Sequence, residues 1–168
     1  VPGHDYTIEG LWDPRESFGD EAEEYFPEYL AEGLREEYIF KDYSGYGLYE
    51  EDEDPVFEAV EAPTPKKRYD MLTKLWEDHP QCIDALVHIG NSYVESSEHW
   101  LPNALNCFIT SVHIAEKNLP GDFDGIMLWG HLENRPYLRA LHGLCLTYWK
   151  MKEFEKAHQV AKKMLRVC

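Results

Sequence analysis

Leu138–Cys168 reads LRALHGLCLTYWKMKEFEKAHQVAKKMLRVC. Its larger side chains fall at three- and four-residue spacings: Leu141, Leu144 and Tyr148, then Phe154, Ala157, Ala161 and Met164. That period belongs to helices with one apolar face. The interruption around Met151–Glu153 divides the stretch into two helices joined by a tight turn. A pair of this kind buries one face within itself and leaves another for a neighbour.

The pattern extends upstream. A helix is expected from about Lys66, with Tyr69, Leu72 and Trp76 facing inward, ending before Pro80. A second is expected over Gln81–Glu95, with Ile83, Leu86, Ile89, Gly90 and Tyr93. The third begins near Leu101 and carries the cleanest stripe, Leu101, Leu105, Phe108, Val112 and Ala115. A long connection follows, and Asn134 reads as the N-cap of the next helix, with Pro136 in its first turn. The expected fold class is all-α, built of helical hairpins.

The spacing of large and small residues in the last pair resembles a tetratricopeptide repeat. Leu141, Leu144, Tyr148 and Phe154 stand where that family places large residues. Cys145 and Ala157 stand at its two small positions, where the helices cross closely. Lys152 occupies a turn position where glycine is common, and Ala161 one that is usually aromatic. A second copy starts at Ile83, with Leu86, Ile89, Gly90 and Tyr93 in register. Pro80 closes a preceding half repeat containing Leu72 and Leu75, in which Arg68 replaces a small residue. Ala104, the matching small residue of the second copy, comes two positions late, so the SSEHW turn is enlarged. The two starts lie 55 residues apart, against a family period of about 34. The resemblance implies a right-handed α–α superhelix over 66–168: half repeat 66–80, repeat 83–118, insertion 119–135, repeat 138–168. WGHLENRPYLRALHG is also similar to a stretch found in bacterial tetratricopeptide proteins. The chain stops as a repeat finishes, so it is expected to be a piece of a longer protein. The face left open there would suit self-association.

Residues 1–65 resemble no family. Residues 1–64 hold 20 Asp/Glu against 3 Lys/Arg, whereas the net charge of the whole chain is −16. The acidity therefore lies wholly in the first third. Val1–Gly19 reads as irregular chain and Asp20 as a cap for a short acidic turn. Pro27 reads as the opening of a helix striped by Leu30, Leu34 and Tyr38. From Ile39 to Pro65, tyrosines, glycines, prolines and the run Glu50, Glu51, Asp52, Glu53 and Asp54 suggest an extended surface excursion. A short turn is expected there at Val56–Val60.

Tetratricopeptide arrays bind peptides along the first helix of each pair. The resemblance therefore implies groove positions Asp84, Val87, Asn91 and Val94 in one unit, and Arg139, His142, Leu146 and Trp149 in the next. The same positions suit ordinary half-exposed helix residues, and the lysine of a carboxylate clamp is replaced by Val87. The eight histidines form no H-x-x-x-H or H-E-x-x-H pattern, and no phosphate-binding or nucleophile-elbow motif occurs. His131, Glu133 and Arg135 suit a small polar cluster tying their loop to the next helix. The Glu50–Asp54 run lacks a calcium-loop pattern.

The expected function is a non-enzymatic scaffold binding a protein or peptide, with no cofactor and no metal. Direct nucleic-acid binding is not expected of so acidic a chain. The first third, with Tyr25, Phe26, Tyr29, Tyr38, Phe40, Tyr43, Tyr46, Tyr49 and Phe57 among its carboxylates, offers an alternative: a module masking a basic partner by imitating nucleic-acid charge. An enzyme without a recognisable motif is a third reading. Cysteines without C-x-x-C pairs suggest a reducing compartment, the cytoplasm. No apolar run approaches the roughly 18 residues of a membrane span.

Overall fold

A computed structural model of the chain describes residues 1–41 and 54–168. The acidic positions Glu50, Glu51, Asp52 and Glu53, and the aromatic positions Tyr43, Tyr46 and Tyr49, lie outside the described residues. The first third contains strand β1 (Tyr6–Trp12), helices α1 (Pro14–Phe18), α2 (Ala22–Tyr25) and α3 (Pro27–Glu32), and strand β2 (Arg35–Phe40). Helices α4 (Pro55–Val60), α5 (Pro65–Asp78), α6 (Ile83–Ser96), α7 (Leu101–Glu116), α8 (Arg135–Lys150) and α9 (Phe154–Val167) follow. The described chain is mostly helical, as expected. It also carries a two-stranded antiparallel sheet, β1 against β2, that the all-α expectation did not contain.

The sheet corrects the reading of Leu30, Leu34 and Tyr38 as one helical stripe. Helix α3 stops at Glu32, where Gly33 takes φ 103°. Tyr38 then lies in β2, buried on the same side as Phe40. A spacing of four residues is also two strand periods, so the stripe fitted both structures. Asp20 lies in a 3-10 turn, and the cap of α1 is Asp13, whose carboxylate accepts from the Arg15 N–H. Asp54 caps α4, accepting from the N–H groups of Val56 and Phe57. The expected turn at Val56–Val60 is therefore a short helix.

The longer helices lie close to their expected bounds. The Thr64 hydroxyl caps α5 by accepting from the Lys67 N–H at 3.2 Å, with Pro65 in the first turn. Lys152 turns α8 into α9 with φ 62°, the left-handed backbone that glycine adopts freely. The core runs through α5–α9. Phe108 of α7 is fully buried and its ring meets two helices at glycines. A Cβ on Gly90 of α6 would lie 2.9 Å from that ring, and one on Gly143 of α8 would collide with it harder. The three helices therefore approach one another closely around one aromatic side chain. At the α8–α9 crossing the Cys145 thiol donates to the Ala157 carbonyl at 3.4 Å.

The sheet sits on this body through apolar and polar contacts: Tyr38 and Phe40 are buried in one cluster with Ile83, Met127, Tyr137 and Leu141, and hydrogen bonds add to it. Asn134 is fully buried; its Oδ1 accepts from the Phe40 N–H at 3.0 Å, and its Nδ2 donates to the carbonyls of Tyr38 at 3.0 Å and Leu128 at 3.4 Å. Asn134 stands at the expected N-cap position of α8, but its side chain makes no capping bond and ties to β2 instead. The Tyr38 N–H donates to the Ile126 carbonyl, and the Ile126 N–H to the Glu36 carbonyl, both at 2.8 Å. The 119–134 connection thus lies alongside β2.

Among the described residues, no helix is long and apolar enough to cross a membrane.

Candidate functional site

The expected groove residues separate into two groups. Arg139, on the first turns of α8, directs Nη1 at both carboxylate oxygens of Asp84 on α6, at 3.0 and 2.8 Å. Asp84 is 6% exposed, so the pair ties α6 to α8 away from most of the solvent. The Arg139 guanidinium also lies over the Trp129 ring, 5.8 Å from its centre, and Arg135 lies over the same ring at 5.2 Å. His88, one turn along α6, stands 3.9 Å from Asp84. Burial pushes the His88 pKa down; Asp84 opposes that shift, while Arg139 and Arg68 add to it. Asn91 and Val94 lie further along α6, both half-buried, and Val94 packs against the cluster of Val87, Phe108 and Leu144.

His142, Leu146 and Trp149 converge elsewhere. With Cys145, Phe154, Ala157, His158 and Ala161 they line an open depression of about 380 Å³ on the α8–α9 hairpin. Trp149 and Phe154 are each 59% exposed. Asn91 and Val94 do not line this depression.

His131 does tie its loop down, but through partners other than Glu133 and Arg135. Its Nε2 pairs with Glu37 of β2 at 2.6 Å, and the Arg135 Nε–H donates to the Trp129 carbonyl at 3.0 Å. The sheet was absent from the sequence reading, so its side of this cluster was not legible.

A cleft of about 880 Å³ lies between α1–α3 and the chain at 126–130 with the end of α9. Local rules build its first wall. Pro14 and Pro27 start short helices, and aromatic residues from them and from the end of β1 pack ring against ring. The Trp12 ring lies 5.4 Å from Phe26 and 5.0 Å from Tyr29, and Phe18 lies 5.1 Å from Phe26. The Tyr29 hydroxyl donates to the Trp12 carbonyl and accepts from the Arg35 N–H, both at 2.9 Å, pinning α3 across the two strand ends. The opposite wall carries Ile126, Leu128, Trp129, Leu165 and Cys168.

The cations of the cleft are already engaged. Arg166 donates Nε and Nη2 to the two Asp124 oxygens at 2.7 Å each and pairs through Nη1 with Glu32. These bonds hold the Asp124 carboxyl below its ordinary value and raise that of Arg166. The Arg35 guanidinium lies 5.1 Å from the centre of the Tyr29 ring and donates to the Arg166 carbonyl at 2.6 Å. Tyr25, Phe26 and Tyr29 belong to the longer run of aromatic residues, Tyr25 to Phe57, that the sequence sets among carboxylates. Trp12 and Phe18 join them from the neighbouring stretch, whose apolar side chains suit docking, and Trp129 and Leu165 complete the cleft from distant parts of the chain, without a signal in their local pattern.

Comparison with family models, with curated proteins and with solved structures finds no match for the chain.

Proposed function

We propose that the chain is a tetratricopeptide-type scaffold that holds a protein or peptide partner and performs no chemistry of its own. The observation that carries this reading is the set of neighbours of α8. It packs on α9, on α7 and, past α7, on α6, so first helices of successive pairs touch as in tandem helical repeats. The small residues Gly90, Gly143, Cys145 and Ala157 at the crossings support the same reading. The right-handed superhelix belongs to this proposal, and so does cytoplasmic residence, which the free thiols of Cys107, Cys145 and Cys168 support.

The partner surface in this reading is the α8–α9 depression, where Leu146, Trp149 and Phe154 offer apolar area and His142 and His158 offer polar handles. Peptides selected from a random displayed library on the immobilised chain provide the test. Binding of the selected peptides is expected to weaken at least about tenfold in Leu146→Glu and Trp149→Glu, as for a buried apolar anchor. Failure to select any peptide, or equal binding by both variants, would refute the assignment of this face. Formation of a dimer that Trp149→Glu abolishes would mean that the face serves a second copy of the chain instead.

A further inference from the structure

We propose that the cleft between α1–α3 and the 126–130 segment is a docking site for an arginine-bearing segment of a basic protein partner. The site is separate from the α8–α9 depression and stands whether or not that face binds a peptide.

Charge complementarity identifies the occupant. Residues 14–32, which build one wall, hold seven Asp/Glu against the single Arg15, and Arg15 is already paired with Asp13 at 2.9 Å. Of the two arginines that line the cleft, Arg166 is paired with Asp124 and Glu32, and Arg35 stands 3.8 Å from Asp124. Glu24 and Glu28 line the opening and form no salt bridge among the described residues. An entering cation therefore meets unpaired carboxylates beside aromatic faces, and the arginines in place do not repel it from an unneutralised field.

The apolar part of the lining narrows the cation to a guanidinium. Tyr25 is 56% exposed, Phe18 43% and Trp129 47%, with Leu165 beyond them at 81%. Rings left this open on a folded protein are unusual as structural residues, and together they form a patch of the kind that binds. A guanidinium is planar, weakly hydrated and able both to stack on a ring and to fork onto a carboxylate; an ammonium stacks and forks less well. The cleft already uses this combination internally. Arg35 stacks on Tyr29 while Arg166 forks onto Asp124. A third arginine, brought by a partner, would meet the same chemistry at Tyr25, Phe18, Glu24 and Glu28.

The test titrates the full chain with a fluorescein-labelled peptide of alternating arginine and glycine, following anisotropy. Matched peptides carry lysine or citrulline in place of arginine. The arginine peptide is expected to bind, the lysine peptide several-fold more weakly, and the neutral citrulline peptide not detectably. Tyr25→Ala leaves the charge of the chain unchanged, and it is expected to weaken the arginine peptide about fivefold to tenfold through loss of the ring face. Tyr25→Phe should restore binding. The Glu24→Gln/Glu28→Gln pair should weaken binding by a similar factor and flatten its dependence on salt. Trp149→Glu should leave it unaltered, which separates this site from the α8–α9 face. Three results would overturn the proposal: equal binding of the citrulline peptide, indifference to Tyr25→Ala, which would signify diffuse attraction to an acidic chain, or no binding of the arginine peptide at all.

Discussion

The helices α5–α9 and the first 41 residues hold their shape by different means. In α5–α9 each helix packs on its sequence neighbour through an apolar stripe, and three of the helices close on one ring, Phe108. In the first 41 residues, α1, α2 and α3 have only five, four and six residues. Helices that short do not persist in water by themselves. Strand β1 leaves Ile8 and Leu11 exposed. This region is held by partners far along the chain: Tyr38 and Phe40 are buried against Ile83, Tyr137 and Leu141, Asn134 and Ile126 bond to β2, Arg166 pairs with Glu32, and the Gln81 side chain donates to the Gly3 carbonyl. A region of the first kind is specified by its own periodicity. One of the second kind exists only once the other has formed, and the acidic cleft inherits that dependence.

The largest effect is expected at the helical crossing. Phe108→Ala removes a fully buried ring and should cost roughly 3–5 kcal/mol, seen as a fall in melting temperature of about 10 °C for a domain of this size. A loss of less than about 1 kcal/mol would break the view that α6, α7 and α8 depend on this ring.

An intermediate effect is expected at the junction. Asn134→Ala removes the acceptor for the Phe40 N–H and the donor to Tyr38, at a cost of about 1–3 kcal/mol. Hydrogen exchange sharpens the comparison: the Phe40 amide should lose protection while Val87 and Leu141 keep theirs. Equal loss in both places would make the two regions one cooperative unit.

The smallest effect is expected from pH. Burial lowers the His88 pKa from an ordinary value near 6.5. Below that value the unfolded chain binds a proton that the folded chain resists. The contribution of the neutral ring is therefore complete above about pH 6.5 and is lost as pH falls through the lower folded value. Denaturant titrations between pH 7 and 5 should show a shallower acid-side decline in His88→Gln than in the parent. An identical decline would show that His88 is not a source of the acid sensitivity of the helical region.

Much of the helical region was legible because its signals are local. The stripe of Leu101, Leu105, Phe108, Val112 and Ala115 marks α7, and Pro65, Pro27 and the Lys152 turn mark boundaries by backbone chemistry. The strands were not legible. Tyr38 and Phe40 alternate over too short a run to distinguish pleat from helix, and β1 carries no buried face to alternate. Asn134 shows the same difficulty in one residue. It stands at the N-cap position its sequence suggested, yet its side chain bonds to β2 and the Leu128 carbonyl rather than to the helix. The groove positions divided for a related reason: Arg139 found Asp84, 55 residues earlier in the chain, and a partner so distant leaves no mark on local spacing.

The amino-acid sequence by itself determined the helices of the last hundred residues, their apolar faces and the concentration of acid in the first third. Each of these depends on spacing within a few turns of backbone or on composition. The tertiary structure alone decided that the first third pairs as a sheet and that Trp12 and Tyr25 face Trp129 and Leu165 across one cleft. It also turned Arg139 toward Asp84 while His142, Leu146 and Trp149 joined α9. Those arrangements depend on which distant groups a side chain meets once the helices have packed, and local periodicity carries no record of that meeting.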